Sequence, residues 1–237
     1  MRRRDVLLSA VTAPLSAASQ SVPQSEISEA LVRRTDEAVT TYLKSQNLDE
    51  KSRWYGGIPD ATEMYGAGPA GGFCGLATAA FCYPKSKHYR DRQVFDRLQL
   101  ASKFMQRCQS PEGNIDLLIT NFNSPPDTGF VVHTVAEAAS VARKHSAPEI
   151  EKELEPFLRK AGEGLVHGGV HTPNHRWVVS AALAQLHDLW PNPAYLRRID
   201  QWLAEGIDID SEGQWSERST TIYNTVSDRA YTTLALK

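Results

Sequence analysis

The chain contains two adjacent segments of opposite character: residues 75–81 read GLATAAF, and residues 90–108 read RDRQVFDRLQLASKFMQRC. The first segment is mostly small and apolar on every side, which is typical of a buried helix. The second has apolar residues at helical spacing among charged ones, which is typical of a helix on the outside of a domain. Together they predict a hairpin of one inner and one outer helix.

The same contrast continues to the end of the sequence. Small apolar residues predict further inner helices over residues 131–142, 178–186 and 230–236. Amphipathic segments predict outer helices between them, over residues 148–160 and 194–204. Strand signals are weak, because no run alternates apolar and polar residues for long.

This alternation indicates an all-α fold in concentric layers, an incomplete (α/α) toroid of helical hairpins over residues 23–237. An array of three-helix bundles and a solenoid of hairpins are the competing architectures, and the absence of a fixed repeat length disfavours a regular solenoid. A further helix is predicted over residues 25–44, followed by a long loop over residues 47–72 that is rich in Gly, Pro and aromatic residues. Because the sequence stops inside an apolar helical segment, we expect a toroid truncated at its C-terminus.

Size and charge limit the function classes. The 237 residues suffice for one large domain with a sizeable core. The formal net charge is −2, whereas nucleic-acid binders normally carry a basic face. We therefore expect no nucleic-acid partner.

The first 22 residues have the parts of a signal peptide. Arg2, Arg3 and Arg4 precede an apolar run over residues 6–18, and small residues follow. Adjacent arginines fit the twin-arginine type. The run is short and interrupted by Pro14, so it does not suit a membrane span. We expect a periplasmic or secreted protein with no membrane contact after the leader is removed.

Cysteine and histidine spacing gives no metal or cofactor site. Three cysteines, Cys74, Cys82 and Cys108, exclude complete internal pairing, and both a Cys74–Cys82 disulfide and buried free thiols remain open. No CxxC pair suggests structural zinc. Two glycines lie between His167 and His171 and break the helix that a His pair would need.

Polar loops precede three of the predicted inner helices. They are NFNSPPD at residues 121–127, HTPNHRW at residues 171–177 and EGQWSER at residues 212–218. If all hairpins have the same hand, the inner helices begin at one end of the ring and these loops meet in one mouth. Helix starts present unpaired N–H groups and the positive end of the dipole, so we expect this mouth to suit an anionic ligand.

The second and third loops hold the strongest candidates for chemistry. Asn174 and His175 open a buried helix, and Arg176 and Trp177 add a charge and a flat face for a sugar. The alternative is that Asn174 caps the helix and His175 is an ordinary surface residue. The third loop supplies Glu217, Arg218 and, five residues later, Tyr223; capping by nearby serines explains that loop equally well when it is taken alone.

Together the two loops resemble the toroid domain of alginate lyase and heparinase II/III-like polysaccharide lyases. Those families carry an Asn-His pair at the start of an inner helix with an aromatic residue after it, and one hairpin later an acidic and arginine segment followed by a tyrosine. The resemblance covers roughly residues 114–237, although the Asn-His to Trp spacing is one residue shorter here and the Glu-Arg pair is adjacent. The matching residues are Asn174, His175, Trp177, Glu217, Arg218 and Tyr223.

The resemblance implies β-elimination on a uronate-containing polysaccharide, with no cofactor. Asn174 and Arg218 would hold the uronate carboxylate and stabilise the enolate-like charge. His175 and Tyr223 would serve as base and acid, and the sequence leaves open which does which. Arg176, Trp177 and Glu217 would bind the acidic polymer around them.

Four further residues are expected to extend the cleft. Asn123 and Asp127 precede an inner helix, where substrate binding and simple capping are equally good explanations. Trp54 and Tyr55 lie in the long loop, where aromatic faces would stack on sugar rings. His133 falls well inside an apolar helix, so we expect a buried, hydrogen-bonded core histidine rather than a ligand.

Two other functions compete with the lyase. A glycoside hydrolase on the same toroid needs two carboxylates across the cleft, for which Asp127 and Glu217 are the candidates. A non-catalytic glycan-binding fragment is the other alternative, because the expected toroid is incomplete.

Overall fold

A computed structural model describes residues 24–170, 172–219 and 221–237. The expected leader over residues 1–22, and His171, lie outside the described residues. The described chain is mostly helical, which confirms the all-α class. Its elements are α1 (Gln24–Ser45), α2 (Ala67–Cys82), α3 (Arg92–Arg107), β1 (Ile115–Leu117), β2 (Asn121–Ser124), α4 (Pro125–Lys144), α5 (Pro148–His167), α6 (Pro173–Leu189), α7 (Pro193–Ala204) and α8 (Tyr223–Leu236).

All predicted helices are present, but α2 begins earlier than expected. It starts at Ala67, so the end of the predicted loop over residues 47–72 is helical. Pro69 is tolerated there because it lies in the first turn, where the amide has no helical partner. No helix in the described part of the chain is both long enough and apolar enough to cross a membrane.

The helices form an inner row and an outer row. In the inner row α2 packs against α4, α4 against α6, and α6 against α8. In the outer row α5 contacts both α3 and α7, and each outer helix packs against the inner helix before it. The predicted alternation of inner and outer helices is therefore present through α7.

Neighbouring inner helices run in the same direction. Ala67 at the start of α2 and Asp127 at the start of α4 line one cavity, whereas Cys82 and Val141, near the ends of the same two helices, line another. Trp177 in the first half of α6 packs against Tyr231 of α8, whereas Asp188 near the end of α6 pairs with Lys237. The starts of the inner helices therefore lie at one end of the molecule.

The last inner helix is less buried than its composition suggests. Only Ser227 and Ala230 of α8 are buried, and Leu236 is 78% exposed. The reason is that α8 packs mainly against α6. The prediction of a fully buried helix over residues 230–236 is wrong in this respect.

A short β-hairpin between α3 and α4 was missed by the sequence analysis. β1 and β2 pair antiparallel, with Ile115 opposite Ser124 and Leu117 opposite Asn121. Strands of three and four residues are too short to show an alternating pattern. The hairpin stands beside the starts of α2 and α4.

The cysteines are free thiols in this structure. Cys74 and Cys82 both lie in α2, about 12 Å apart along the helix axis, which is too far for a disulfide. Burial raises the pKa of Cys74 to about 12, so this thiol is a core residue.

Candidate functional site

The start of α6 is capped by a residue from the loop before α8. Thr172 precedes the helix but makes no side-chain cap bond. Instead, the backbone N–H of Asn174 donates to the Glu217 carboxylate at 2.6 Å. A carboxylate at this position satisfies a free amide and faces the positive end of the helix dipole. The bond also ties the loop before α8 to the start of α6.

The two arginines of the predicted site have acidic partners. Arg176 is 7% exposed, and its guanidinium pairs with Glu205 at 2.8 Å and with Asp208. Two carboxylates of the protein therefore pair with this positive charge, which corrects the expectation that Arg176 binds substrate. Arg218 is exposed and pairs with Asp210 in the same loop.

Trp177 is fully buried, so its expected role as a sugar-stacking face is wrong. Its ring packs against Tyr231 of α8, with ring centroids 4.7 Å apart, and the Arg176 guanidinium lies 4.8 Å from its centroid. The residue joins α6 to α8 because a large aromatic ring fills the space between two helices that meet at small residues such as Ala181 and Ala230.

His175 and Tyr223 lie at the starts of neighbouring inner helices. His175 is half-buried in the first turn of α6, and its ring stands nearly perpendicular to Phe130 of α4, with centroids 6.2 Å apart. Tyr223 is the first residue of α8 and is 44% exposed. Asn174, which precedes His175 in α6, is only 2% exposed.

Asn123 and Asp127 face different sides of the hairpin. Asn123 accepts a bond from the Ser110 hydroxyl and lines an open cavity of about 790 Å³ beside the end of α5. Asp127 receives bonds from Ser124 and Asn121 at the start of α4, and it lines a second cavity. Although Asn123 and Asp127 are close in the sequence, they therefore line different cavities.

The aromatic residues of the long loop are covered by their neighbours. Trp54 stacks on Tyr65, with centroids 5.5 Å apart, and the Arg53 guanidinium lies 3.9 Å from the Trp54 centroid. Tyr55 is half-buried, and its carbonyl accepts a bond from Arg107. Asp60, Thr62, Met64 and residues 66–69, rather than Trp54 or Tyr55, line the second cavity.

That second cavity, of about 370 Å³, lies between the starts of α2 and α4 and the hairpin. Its wall includes Asp60, Asp116 and Phe130, three residues that the sequence analysis did not select. Two complete helices, α2 and α3, lie between Asp60 and Asp116 in the chain, so no local motif could indicate that they share a cavity. Phe130 lines this cavity and its ring also contacts the His175 ring, so Phe130 connects the cavity to His175.

The expectation that the helix starts suit an anion needs correction. Glu217 already lies at the start of α6, and Asp127 lies in the first turn of α4. Glu217 accepts from an amide of α6, the Ser124 hydroxyl accepts from the Asp127 amide of α4, and the Asp127 carboxylate adds negative charge at that helix start. Local charge at this end therefore comes from side chains more than from helix dipoles.

His133 is a buried core residue, as expected. It is 5% exposed, and its Nε2 lies 3.2 Å from the carbonyl oxygen of Val178 on α6. Burial, assisted by the positive charge of Arg229, lowers its pKa to about 4. Within the described residues, no group of three or more His, Cys, Asp or Glu side chains is arranged to hold a metal ion.

Comparison with known proteins assigns no family. No protein-family model matches the chain, and no curated protein sequence matches it.

Proposed function

We propose that this chain is an exported polysaccharide lyase domain, with its helices arranged as an incomplete α/α toroid, that cleaves a uronate-containing polymer by β-elimination. One observation carries the proposal: His175 and Tyr223 begin adjacent inner helices that run in the same direction, and both keep accessible surface. The bond between Asn174 and Glu217 holds the loop before α8 against the start of α6.

The proposed reaction needs two proton transfers. A base removes the proton on C5 of the uronate, and the electron pair of that bond forms the C4–C5 double bond. The bond between C4 and the glycosidic oxygen breaks, and an acid protonates that oxygen. The side chains of His175 and Tyr223 supply the base and the acid.

The uronate carboxylate must be held while negative charge develops beside it. Arg218 is the cation proposed for this role, since it follows Glu217 in the chain and its side chain stays 69% exposed while paired with Asp210. A donor aimed at the carboxylate stabilises the enolate-like transition state more than the ground state. Asn174 is 2% exposed, so it supports the site through the bond of its backbone amide to Glu217.

Replacement of Tyr223 by Phe tests the proposal. The variant keeps the ring but loses the hydroxyl, so kcat for elimination should fall at least about 100-fold with little change in KM. The assay follows the ultraviolet absorbance of the unsaturated product on a panel of uronate polymers. Tyr89→Phe is the matched control, because Tyr89 is also 44% exposed but lies in the loop between α2 and α3.

The outcomes separate the competing functions. Full activity in Tyr223→Phe removes the tyrosine from the mechanism. New reducing ends without the ultraviolet signal support a hydrolase instead. Binding of polymer without any cleavage supports a glycan-binding domain.

A further inference from the structure

The cavity beside the starts of α2 and α4 has an acidic lining. Three carboxylates, those of Asp60, Asp116 and Asp127, contribute to its wall, and no Lys, Arg or His is among the described residues that line it. Its volume of about 370 Å³ lies at the lower end of the range for small-molecule sites, about 300–1,000 Å³.

Local hydrogen bonds hold these carboxylates in place. The Thr62 hydroxyl and the amides of Met64 and Thr62 donate to Asp60, and they keep the pKa of this carboxyl below its usual value. The amide of Asn123 donates to one oxygen of Asp116 at 2.7 Å. The acidic lining is therefore built into the turns that shape the cavity.

The remaining wall is apolar. Leu117 and Leu118 of the hairpin and Phe130 of α4 line the cavity, and each of them is more than a third exposed. A sugar ring has the complementary character: apolar C–H faces pack against such side chains, and hydroxyl groups donate to carboxylates. A second uronate would instead place its own carboxylate among three others.

We propose that this cavity is the subsite for an uncharged sugar next to the uronate held at His175, so that the substrate alternates uronate with uncharged sugar. The inference rests on the proposed lyase function. Its geometric basis is Phe130, which lines the cavity and also contacts the His175 ring at 6.2 Å between centroids. Asp60 and Asp116 are the residues that reject an acidic neighbour.

The test compares two polymers by their kcat/KM for elimination. One is hyaluronan, in which uronate alternates with an uncharged N-acetylhexosamine, and the other is polygalacturonate, in which every sugar is acidic. At low ionic strength, the protein should favour hyaluronan at least about tenfold, since like charges a few ångströms apart repel and little salt is present to screen them.

A charge-matched pair of variants locates the cause of this preference. Asp60→Asn with Asp116→Asn keeps the turn-forming acceptors but removes two charges, so the preference for hyaluronan should shrink about five- to tenfold. Asp96→Asn with Asp200→Asn makes the same change in net charge on the outer helices α3 and α7 and should leave the preference unchanged.

Each outcome decides one point. Faster cleavage of polygalacturonate by the unaltered protein, or an unchanged preference in the Asp60 and Asp116 variant, overturns the uncharged-sugar subsite while leaving the lyase function in place. Absence of elimination on every uronate polymer in the panel overturns the lyase function and the subsite with it.

Discussion

At the scale of single residues, His133 shows how burial changes chemistry. The imidazole lies between α4 and α6, and its Nε2 is 3.2 Å from the Val178 carbonyl oxygen. Burial removes water from the ring, and the charge of Arg229 further disfavours a second proton, so its pKa falls from 6.5 to about 4. The folded protein therefore holds His133 neutral at pH values where an unfolded chain would protonate it.

This difference predicts a loss of stability in acid. The unfolded chain binds the proton more readily, so the stability contributed by neutral His133 is fully present above about pH 6.5 and is lost progressively as the pH falls from there to about 4. Between about pH 7 and about pH 5, the free energy of unfolding should drop by about 2 kcal/mol from this residue. Urea unfolding at both pH values measures the drop.

The variant His133→Gln isolates this contribution. Gln cannot titrate, so its free energy of unfolding should fall less with acid than that of the unaltered protein, by about 2 kcal/mol over the same interval. His145→Gln, at an exposed histidine after α4, should keep the original pH dependence. Identical pH dependence in His133→Gln and the unaltered protein would contradict the assignment.

At the scale of elements, the contact between α2 and α4 depends on glycine. A Cβ on Gly71 would come within 2.8 Å of Val131 and 3.2 Å of Val135, whereas Gly68 in the same helix has open space around it. Valine side chains are stiff about their first torsion angle, so they cannot easily move aside. The two glycines therefore predict opposite effects for the same substitution.

Gly71→Ala should destabilise the protein by about 1–3 kcal/mol, because it overpacks the contact between α2 and α4. Gly68→Ala should instead be neutral or stabilise it by up to about 1 kcal/mol, since alanine is the better helix former. Urea midpoints of the two variants provide the comparison. A loss of stability in Gly68→Ala as large as that in Gly71→Ala would refute the close-packing argument.

At the scale of the whole molecule, helices in the middle of the two rows pack against more neighbouring helices than those at the edges do. α4 packs against α2, α5 and α6, whereas α8 packs mainly against α6 and α1 mainly against α2. A helix with neighbours on several sides opens only when much of the domain opens, and a helix with one main neighbour can open locally.

Hydrogen exchange should follow this arrangement. Backbone amides in the middle of α4 should exchange at least about tenfold more slowly than those in α8. Mass spectrometry of peptides from exchange-labelled protein resolves the two helices, and α1 provides a second edge helix for comparison. Equal protection of α8 and α4 would show that α8 has support beyond its packing on α6.

Several features of the fold follow from local sequence alone. The apolar periodicity of residues 90–108 and 148–160 predicts α3 and α5, because one face of each helix must be buried. The core position of His133 follows from the apolar residues around it in α4. The true start of α2 does not follow, because glycine disfavours an isolated helix, whereas packing against other helices, such as that of Gly71 against α4, favours it.

Local sequence was enough to predict the alternation of inner and outer helices and the position of Asn174 and His175 at a helix start, since both depend on the order of residues along the chain. It placed Tyr223 in a loop, whereas Tyr223 begins α8. The packing of the helices was needed to show that Trp177 is buried, that Arg176 is buried and ion-paired, and that Asp60, Asp116 and Asp127 line one cavity. The physical reason is that burial, ion pairing and cavity lining depend on groups distant in the chain, which local patterns cannot specify.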